Sequence, residues 1–187
     1  TKEVISAASK LRVIGRAGVG LDNVDLEAAT ARGIIVMNTH AGNTISTTEH
    51  TLSMILALSR NIPCADSSLR GGEWKRSKFI GVELYGKTLG VLGLGRIGTE
   101  VSKRAISFGM KIVAYDPFLS KEIASGLGVE IVELRDLFKR SDYITVHAPL
   151  TEETRHIISD KEISMMKDGV RLINCARGGI IDETALL

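Results

Sequence analysis

"LGVLGLGRIGTEV", Leu89–Val101, is the stretch on which the reading of this chain turns. Leu89 to Leu92 is apolar and of strand length, and Ile97 to Phe108 has the spacing of a helix. Between the two lie Gly93, Gly95 and Gly98, in the order G-x-G-x-x-G. Glycines at that spacing recur by chance; a strand before them and a helix after them give the pattern its physical meaning. The first glycine permits a tight turn, the second lets backbone approach a pyrophosphate, and the third lets helix and strand pack closely. The start of the helix then turns its free N–H groups and a partial positive charge toward the anion.

Moving outward from this loop, Lys111 to Tyr115 reads as the next strand, and Asp116 stands at its end, about 20 residues past the glycines. A carboxylate there accepts hydrogen bonds from an adenosine ribose and repels a 2′-phosphate, so NAD is favoured over NADP. Val129 to Val132, Tyr143 to Val146 and Arg171 to Asn174 read as further strands, with a helical turn or two over Leu134 to Lys139. Ser159 with Glu162 has capping-box spacing ahead of another helical segment. Toward the N-terminus, strands are expected over Leu11 to Ile14 and Ile34 to Met37, on either side of a short helix in "DLEAATARG". Ser46 and Glu49 repeat the capping-box spacing, and Leu52, Ile55, Leu56 and Ser59 follow at helical intervals, with Ile62 and Pro63 near the helix end. The stretch "LRGGEWKRSKFIGVELYGKTLG" lacks periodicity and reads as a long connection with a functional or interdomain role. Strands alternating with helices give an α/β fold built on a doubly wound parallel sheet.

In such sheets ligands bind beyond the carboxyl ends of the strands. Two later strands deliver polar residues there, "TVHAPL" ending at His147 to Leu150 and "INCARGG" ending at Asn174 to Gly179. Arg177 is expected at the edge where a nicotinamide would lie. A guanidinium stays charged, offers a planar fork of donors, and so suits both binding a carboxylate and polarising a carbonyl. The alternative for Arg177 is a surface ion pair. His147 is expected to be structural or cofactor-lining rather than a proton carrier, and His40, His50 and His156 to be solvent or packing residues. Cys175 reads as a small lining residue because no histidine can be paired with it from sequence. Trp74 in "GGEWKRSK" reads as a packing anchor, the alternative being a stacking platform for single-stranded nucleic acid.

Composition bounds the remaining classes. The 187 residues carry 24 Lys plus Arg against 22 Asp plus Glu, a formal charge of +2, which demands no polyanionic partner. Cys64 and Cys175 form no metal-ligand spacing, so no metal site is expected. No apolar run nears the roughly 18 residues needed to span a bilayer, and "TKEVISAASK" lacks a signal core. The expectation is a cytoplasmic chain with neither membrane nor nucleic-acid partner.

The motifs "RAGVGLDNVD", "LGLGRIG" with "YDP", "VHAPLTEET" and "NCARGGIIDE" together resemble the D-2-hydroxyacid dehydrogenase family, and "VMNTHAGNTISTTEH" is most similar to its branch acting on 3-phosphoglycerate. The resemblance covers nearly the whole chain. It implies a Rossmann NAD domain inserted in a flavodoxin-like substrate domain: residues 1–39 would close the first substrate-domain segment and residues 40–187 would belong to the NAD domain. It implies that Arg177 binds substrate and orients its carbonyl. It also implies that the loop at Gly18 and Val19 receives the substrate carboxylate near the nicotinamide, with Arg16 beside it. Arg96 and Ile97 match positions at the cofactor pyrophosphate, and His147, Ala148, Pro149, Cys175 and Ala176 match the lining of the nicotinamide and its ribose. Val19 and Ala148 stand where similar members often carry threonine, so a hydroxyl contact is lost at each. The family's acid/base histidine and its glutamate partner would follow Leu187, which implies a fragment. The implied activity is NAD-dependent oxidation of 3-phosphoglycerate by a homodimer or larger homo-oligomer. Hydroxypyruvate or glyoxylate reduction, and a non-catalytic NAD-sensing protein like the corepressors of this fold, are the alternatives.

Overall fold

The computed structural model describes the backbone of residues 1–187 and all side chains except those of Lys121 and Ile123. The chain divides into two compact units, Thr1–Thr44 and Ile45–Leu187.

The first unit runs α1 (Lys2–Ala7), β1 (Val13–Arg16), α2 (Leu26–Ala31) and β2 (Ile35–Asn38). β1 and β2 pair in parallel, Val13 opposite Ile35 and Arg16 opposite Asn38, which requires a crossover that α2 supplies. The Asp25 side chain caps α2 by accepting from the Ala28 N–H at 2.8 Å, and Gly33 takes φ +65° just beyond its end. Ile5, Ala29 and Ile34 form its small core. α1 has no counterpart among the elements expected from sequence.

The second unit begins along α3 (Thr44–Arg60), continues through α4 (Ile62–Arg70) and a 3₁₀ turn at Arg76–Phe79, and then alternates strand and helix. Its strands are β3 (Thr88–Leu92), β4 (Lys111–Tyr115), β5 (Glu130–Ile131), β6 (Tyr143–Val146) and β7 (Arg171–Asn174). Between them lie α5 (Arg96–Ser107), α6 (Lys121–Gly126), α7 (Leu134–Arg140) and α8 (Asp160–Ile163). All five strands are parallel, in the order β5-β4-β3-β6-β7. From β3 the chain winds outward to β5, then returns to the other side of β3, so the point of reversal lies between β3 and β6.

Strand periodicity separates two cores. Leu89, Val91, Ile112, Ala114 and Tyr143 point to one face and pack with Leu52 and Ile55 of α3 and Val101 and Ala105 of α5. Leu92, Val113, Ile144 and Val146 point to the other, against Leu137 and Phe138 of α7 and Ile158, Ile180 and Ile181. Each fully buried aliphatic side chain contributes about 1.5–3 kcal/mol. The Tyr143 hydroxyl meets the Ser59 hydroxyl at 2.8 Å inside the first core, tying α3 to β6. At one margin of the sheet Arg140 reaches from α7 to hold both oxygens of Glu130 on β5, at 2.8 and 2.6 Å.

Three expectations shift. The Ser46–Glu49 pair does not cap a helix, because α3 already begins at Thr44. Pro63 does not end that helix: Asn61 breaks it at φ 54° and Pro63 then sits in the first turn of α4, where its missing N–H costs nothing. α6 went unrecognised in a segment short of apolar periodicity. The Ser159–Glu162 pair does cap α8, with Glu162 Oε2 accepting from the Ser159 N–H at 3.3 Å.

Candidate cofactor and catalytic site

The glycine loop leaves β3 at the reversal point. Gly93 has φ +92°, and its N–H donates to the Tyr115 carbonyl at 2.9 Å. A Cβ on Gly93 would stand 2.9 Å from the His147 carbonyl, so the absent side chain brings the end of β6 against the loop. Gly98 is buried in the first turn of α5, and a Cβ there would lie 2.2 Å from the Gly93 oxygen. Gly95 is different. It is the N-cap of α5 at φ −72°, and a Cβ there would meet nothing within 4 Å. Two of the glycines are thus required by the fold itself, while the third leaves space at the start of a 12-residue helix. That space, at a helix N-terminus with Arg96 and Ile97 as its first residues, fits a pyrophosphate.

Asp116 stands at the end of β4 and binds back to the loop: Oδ2 accepts from the Leu94 N–H at 2.8 Å, and Oδ1 accepts from the Phe118 N–H at 2.9 Å. An ionised carboxylate has about four acceptor positions, so two backbone bonds fix its direction and leave capacity for ribose hydroxyls.

Beyond β6, His147 donates its N–H to the Leu92 carbonyl at 2.8 Å, and its Nε2 meets the Thr145 hydroxyl at 2.9 Å. Burial pushes the His147 imidazole down to about 4, because a desolvated ring resists taking a charge. It is neutral at pH 7 and unsuited to carrying a proton there. Ala148 is half-buried and Pro149 exposed at the same edge.

Beyond β7 the chain turns sharply. The exposed Asn174 accepts from the Ala176 N–H at 3.0 Å and donates to the Arg177 carbonyl at 2.8 Å. The Arg177 Nη1 donates to the Ala176 carbonyl at 2.9 Å. Gly179, at φ +79°, accepts at its carbonyl from the His156 N–H at 2.9 Å, and Ile158 bridges Ile181 in parallel, so the loop carrying Arg177 is held on its far side too. Cys175, Ala176 and Arg177 are half-buried. The register Val146↔Asn174 and Leu92↔Val146 puts the glycine loop, His147 and the Arg177 loop on one edge of one sheet. No group of three or more His, Cys, Asp or Glu is placed to hold a metal ion among the described residues.

In the first unit, Arg16 ends β1 and is followed by a tight turn in which the Gly18 N–H donates to the Arg16 carbonyl at 3.0 Å. The Thr39 N–H donates to the Gly18 carbonyl at 3.1 Å, and Asn38 Nδ2 to the Val19 carbonyl at 2.7 Å, so the end of β2 pins the loop. Arg16 Nη1 is buried without a hydrogen-bond partner among the described residues. A buried donor left unmade costs about 1–3 kcal/mol, more for a charged group. Asn38 and Asn174 were not assigned roles from sequence; the available signal was an asparagine closing a strand at the carboxyl edge.

Residues 52–187 match the family described as D-isomer specific 2-hydroxyacid dehydrogenase, NAD binding domain. D-3-phosphoglycerate dehydrogenase of Methanocaldococcus jannaschii is 57% identical over 187 residues, all of this chain and 36% of that protein. The Homo sapiens protein of that name is 54% identical over the same length, 35% of its own. The chain thus spans about a third of the length of the curated relatives it matches. The crystal structure of D-lactate dehydrogenase from Aquifex aeolicus, complexed with NAD and lactic acid, superposes with a TM-score of 0.91 at 38% identity, covering 100% of this chain and 56% of that one. The chain therefore belongs to the D-2-hydroxyacid dehydrogenases, and its larger unit is their NAD-binding Rossmann domain.

Proposed function

We propose that the complete protein oxidises 3-phosphoglycerate to 3-phosphohydroxypyruvate with NAD, the first step of the phosphorylated route to serine. The observation that carries this reading is the glycine loop, Asp116 and Arg177 on one carboxyl edge, in a chain 54–57% identical across its whole length to phosphoglycerate dehydrogenases. We assign residues 1–39 to a substrate-domain segment and residues 40–187 to the cofactor domain.

Bound NAD supplies the hydride acceptor at C4 of its nicotinamide. Gly93, Gly95, Arg96, Ile97 and Gly98 hold the pyrophosphate end, and Asp116 takes the adenosine ribose. His147, Ala148, Pro149, Cys175 and Ala176 line the other end. Arg177 binds the substrate carboxylate and polarises the C2 oxygen as it becomes a carbonyl. Holding reactants at contact distance contributes on the order of 7–11 kcal/mol in favourable cases. Arg16, with Gly18 and Val19, takes an anionic group of the substrate; its unpartnered Nη1 supports that role.

We further read the complete protein as a homodimer or larger homo-oligomer. Support comes from the segment after α3, where Leu69 and Trp74 line one cleft and are both exposed, since paired apolar side chains left to solvent fit an interaction site. Trp74 is 80% exposed, so within this chain it is not the packing anchor expected from sequence. Both cysteines are unpaired, and no helix among the described residues is long and apolar enough to cross a membrane; we place the protein in the cytoplasm.

The test is NADH oxidation by the complete protein with 3-phosphohydroxypyruvate, hydroxypyruvate and glyoxylate at equal concentrations. A strong preference for the phosphorylated oxoacid is expected. Preference for the small oxoacids would move the activity to the reductase reading, and NADH binding without turnover would move it to the binding-protein reading.

A further inference from the structure

We infer that Asn174 is a positioning residue for Arg177: its amide locks the backbone of the Ala176–Arg177 turn and so fixes where the guanidinium stands before substrate arrives. The inference rests on the reading of Arg177 as the substrate-binding arginine.

Both ends of the Asn174 amide are engaged within three residues. Oδ1 takes the Ala176 N–H at 3.0 Å, and Nδ2 gives to the Arg177 carbonyl at 2.8 Å. The Ala176 carbonyl, between those two groups in the chain, is taken by Arg177 itself at 2.9 Å. Asn174 therefore sets the main chain on either side of the Arg177 Cα, and the arginine closes the turn onto its own preceding peptide.

Asn174 is poorly explained as a stabiliser of the fold. Its side chain is exposed, and the pairing of β7 with β6 uses backbone groups that a substitution leaves in place. The glycines downstream explain the requirement. Arg177 runs into Gly178 and Gly179, the latter at φ +79°, and glycines give a loop the widest choice of conformations. Fixing one residue's backbone costs about 1–2 kcal/mol. The far side of the loop is held at Gly179 through His156; on the near side, Asn174 is the side chain bound to both Ala176 and Arg177. An arginine that must meet a carboxylate and a reacting oxygen together is sensitive to displacement, since a shift of about 1 Å costs on the order of 100-fold in rate.

A glutamine in the same place has an extra methylene and cannot close both bonds at this span. An aspartate keeps the acceptor for the Ala176 N–H but sets a carboxylate oxygen against the Arg177 carbonyl.

The experiment compares Asn174→Ala, Asn174→Asp, Arg177→Ala and the double substitution Asn174→Ala with Arg177→Ala in the complete protein. Readouts are kcat and KM for oxoacid reduction, the NADH Kd, and the hydrogen-exchange rate of the Ala176 amide. Asn174→Ala is expected to lower kcat by about 10–100-fold while leaving the NADH Kd within about twofold. The Ala176 amide should exchange at least about tenfold faster. Asn174→Asp should keep that amide slow and give an intermediate kcat. The double variant should be no slower than Arg177→Ala, because residues acting as one unit are not additive. Full activity in Asn174→Ala, a further fall in the double variant, or unchanged exchange at Ala176 would each overturn the inference. Should the unsubstituted protein reduce no 2-oxoacid, the assignment of the reaction falls on its own, and amide exchange alone decides whether Asn174 braces the turn.

Discussion

Gly95 and Gly98 lie three residues apart in one motif, yet the structure separates what they do, and two alanine substitutions measure the separation. A Cβ on Gly98 would stand 2.2 Å from the Gly93 oxygen and 3.2 Å from the Val91 side chain. The nearest atom is backbone, so the loop itself must move, and overpacking of this kind costs about 1–3 kcal/mol. Removing a glycine from a helix returns up to about 1 kcal/mol. An approach of 2.2 Å to backbone belongs at the upper end of that range, so the net loss for Gly98→Ala is about 2 kcal/mol, or roughly 4–8 °C in Tm for a chain of this size. Gly95 has φ −72° and nothing within 4 Å of its Cβ position. Losing a favoured N-cap costs up to about 1 kcal/mol, and reducing the freedom of the unfolded chain returns about 0.4–1 kcal/mol. Gly95→Ala should therefore melt within about 2 °C of the unsubstituted chain. Its methyl group nevertheless fills the space proposed for the pyrophosphate, so NADH should bind at least about tenfold more weakly, a loss of about 1.4 kcal/mol. Thermal denaturation and NADH fluorescence titration read the two effects on the same samples. Unchanged NADH affinity in Gly95→Ala would remove the pyrophosphate from that space; an unchanged Tm in Gly98→Ala would refute the steric reasoning.

Arg177→Ala should depress turnover by on the order of 100–1,000-fold, the scale of losing a charge-stabilising donor, with much less effect on NADH affinity; an equal loss of both would put Arg177 in the cofactor grip instead. Asp116→Ala should narrow the preference for NADH over NADPH, and an unchanged ratio measured by competition would end the ribose assignment. Acidification should destabilise the domain through His147. Its folded form stays neutral down to about pH 4 while the unfolded chain takes up a proton from its ordinary value of about 6.5 downward. Stability is therefore lost as pH falls from about 6.5 to about 4, with no further loss from this group below that. The ceiling is about 3 kcal/mol, and the true loss is smaller because the ring is half-buried and partly screened. Melting curves at pH 7 and 4.5 should converge when His147 is replaced by glutamine; a slope that persists would locate the acid sensitivity elsewhere.

The parts of the fold legible in the sequence were those where one residue type serves one physical need. Lys111–Tyr115, Tyr143–Val146 and Arg171–Asn174 have the boundaries read from sequence; in the first two the central residues are buried on both faces, which leaves little freedom in composition. The glycine loop was legible because its spacing is steric, and Gly93 and Gly98 would clash if they carried a side chain. Capping signals divided: Ser159–Glu162 closes its box on α8, whereas Ser46–Glu49 lies inside α3, where the same spacing merely puts two residues on one helical face. The break at Asn61 was hidden, because a left-handed asparagine is indistinguishable in sequence from an ordinary one, and Pro63 marks a helix start as readily as an end. In the candidate site, residue type and place in the sequence singled out Asp116 and Arg177 as candidates. The asparagines that hold the loops, Asn38 and Asn174, stood out less, because their roles consist of bonds to backbone and the one mark in the sequence is an asparagine at the end of a strand.

The brevity of β5 has a meaning for life at high concentration. An outermost strand offers an unpaired row of N–H and C=O groups on which a second chain can grow, the starting point of fibrillar aggregation. On one side of this sheet the outermost strand is only Glu130–Ile131, and Arg140 clamps the glutamate across it. A visiting strand would find few rungs to pair with and a fixed pair of charges in its path. On the β5 side, the sheet can thus be left unfinished without offering a template for its own polymerisation.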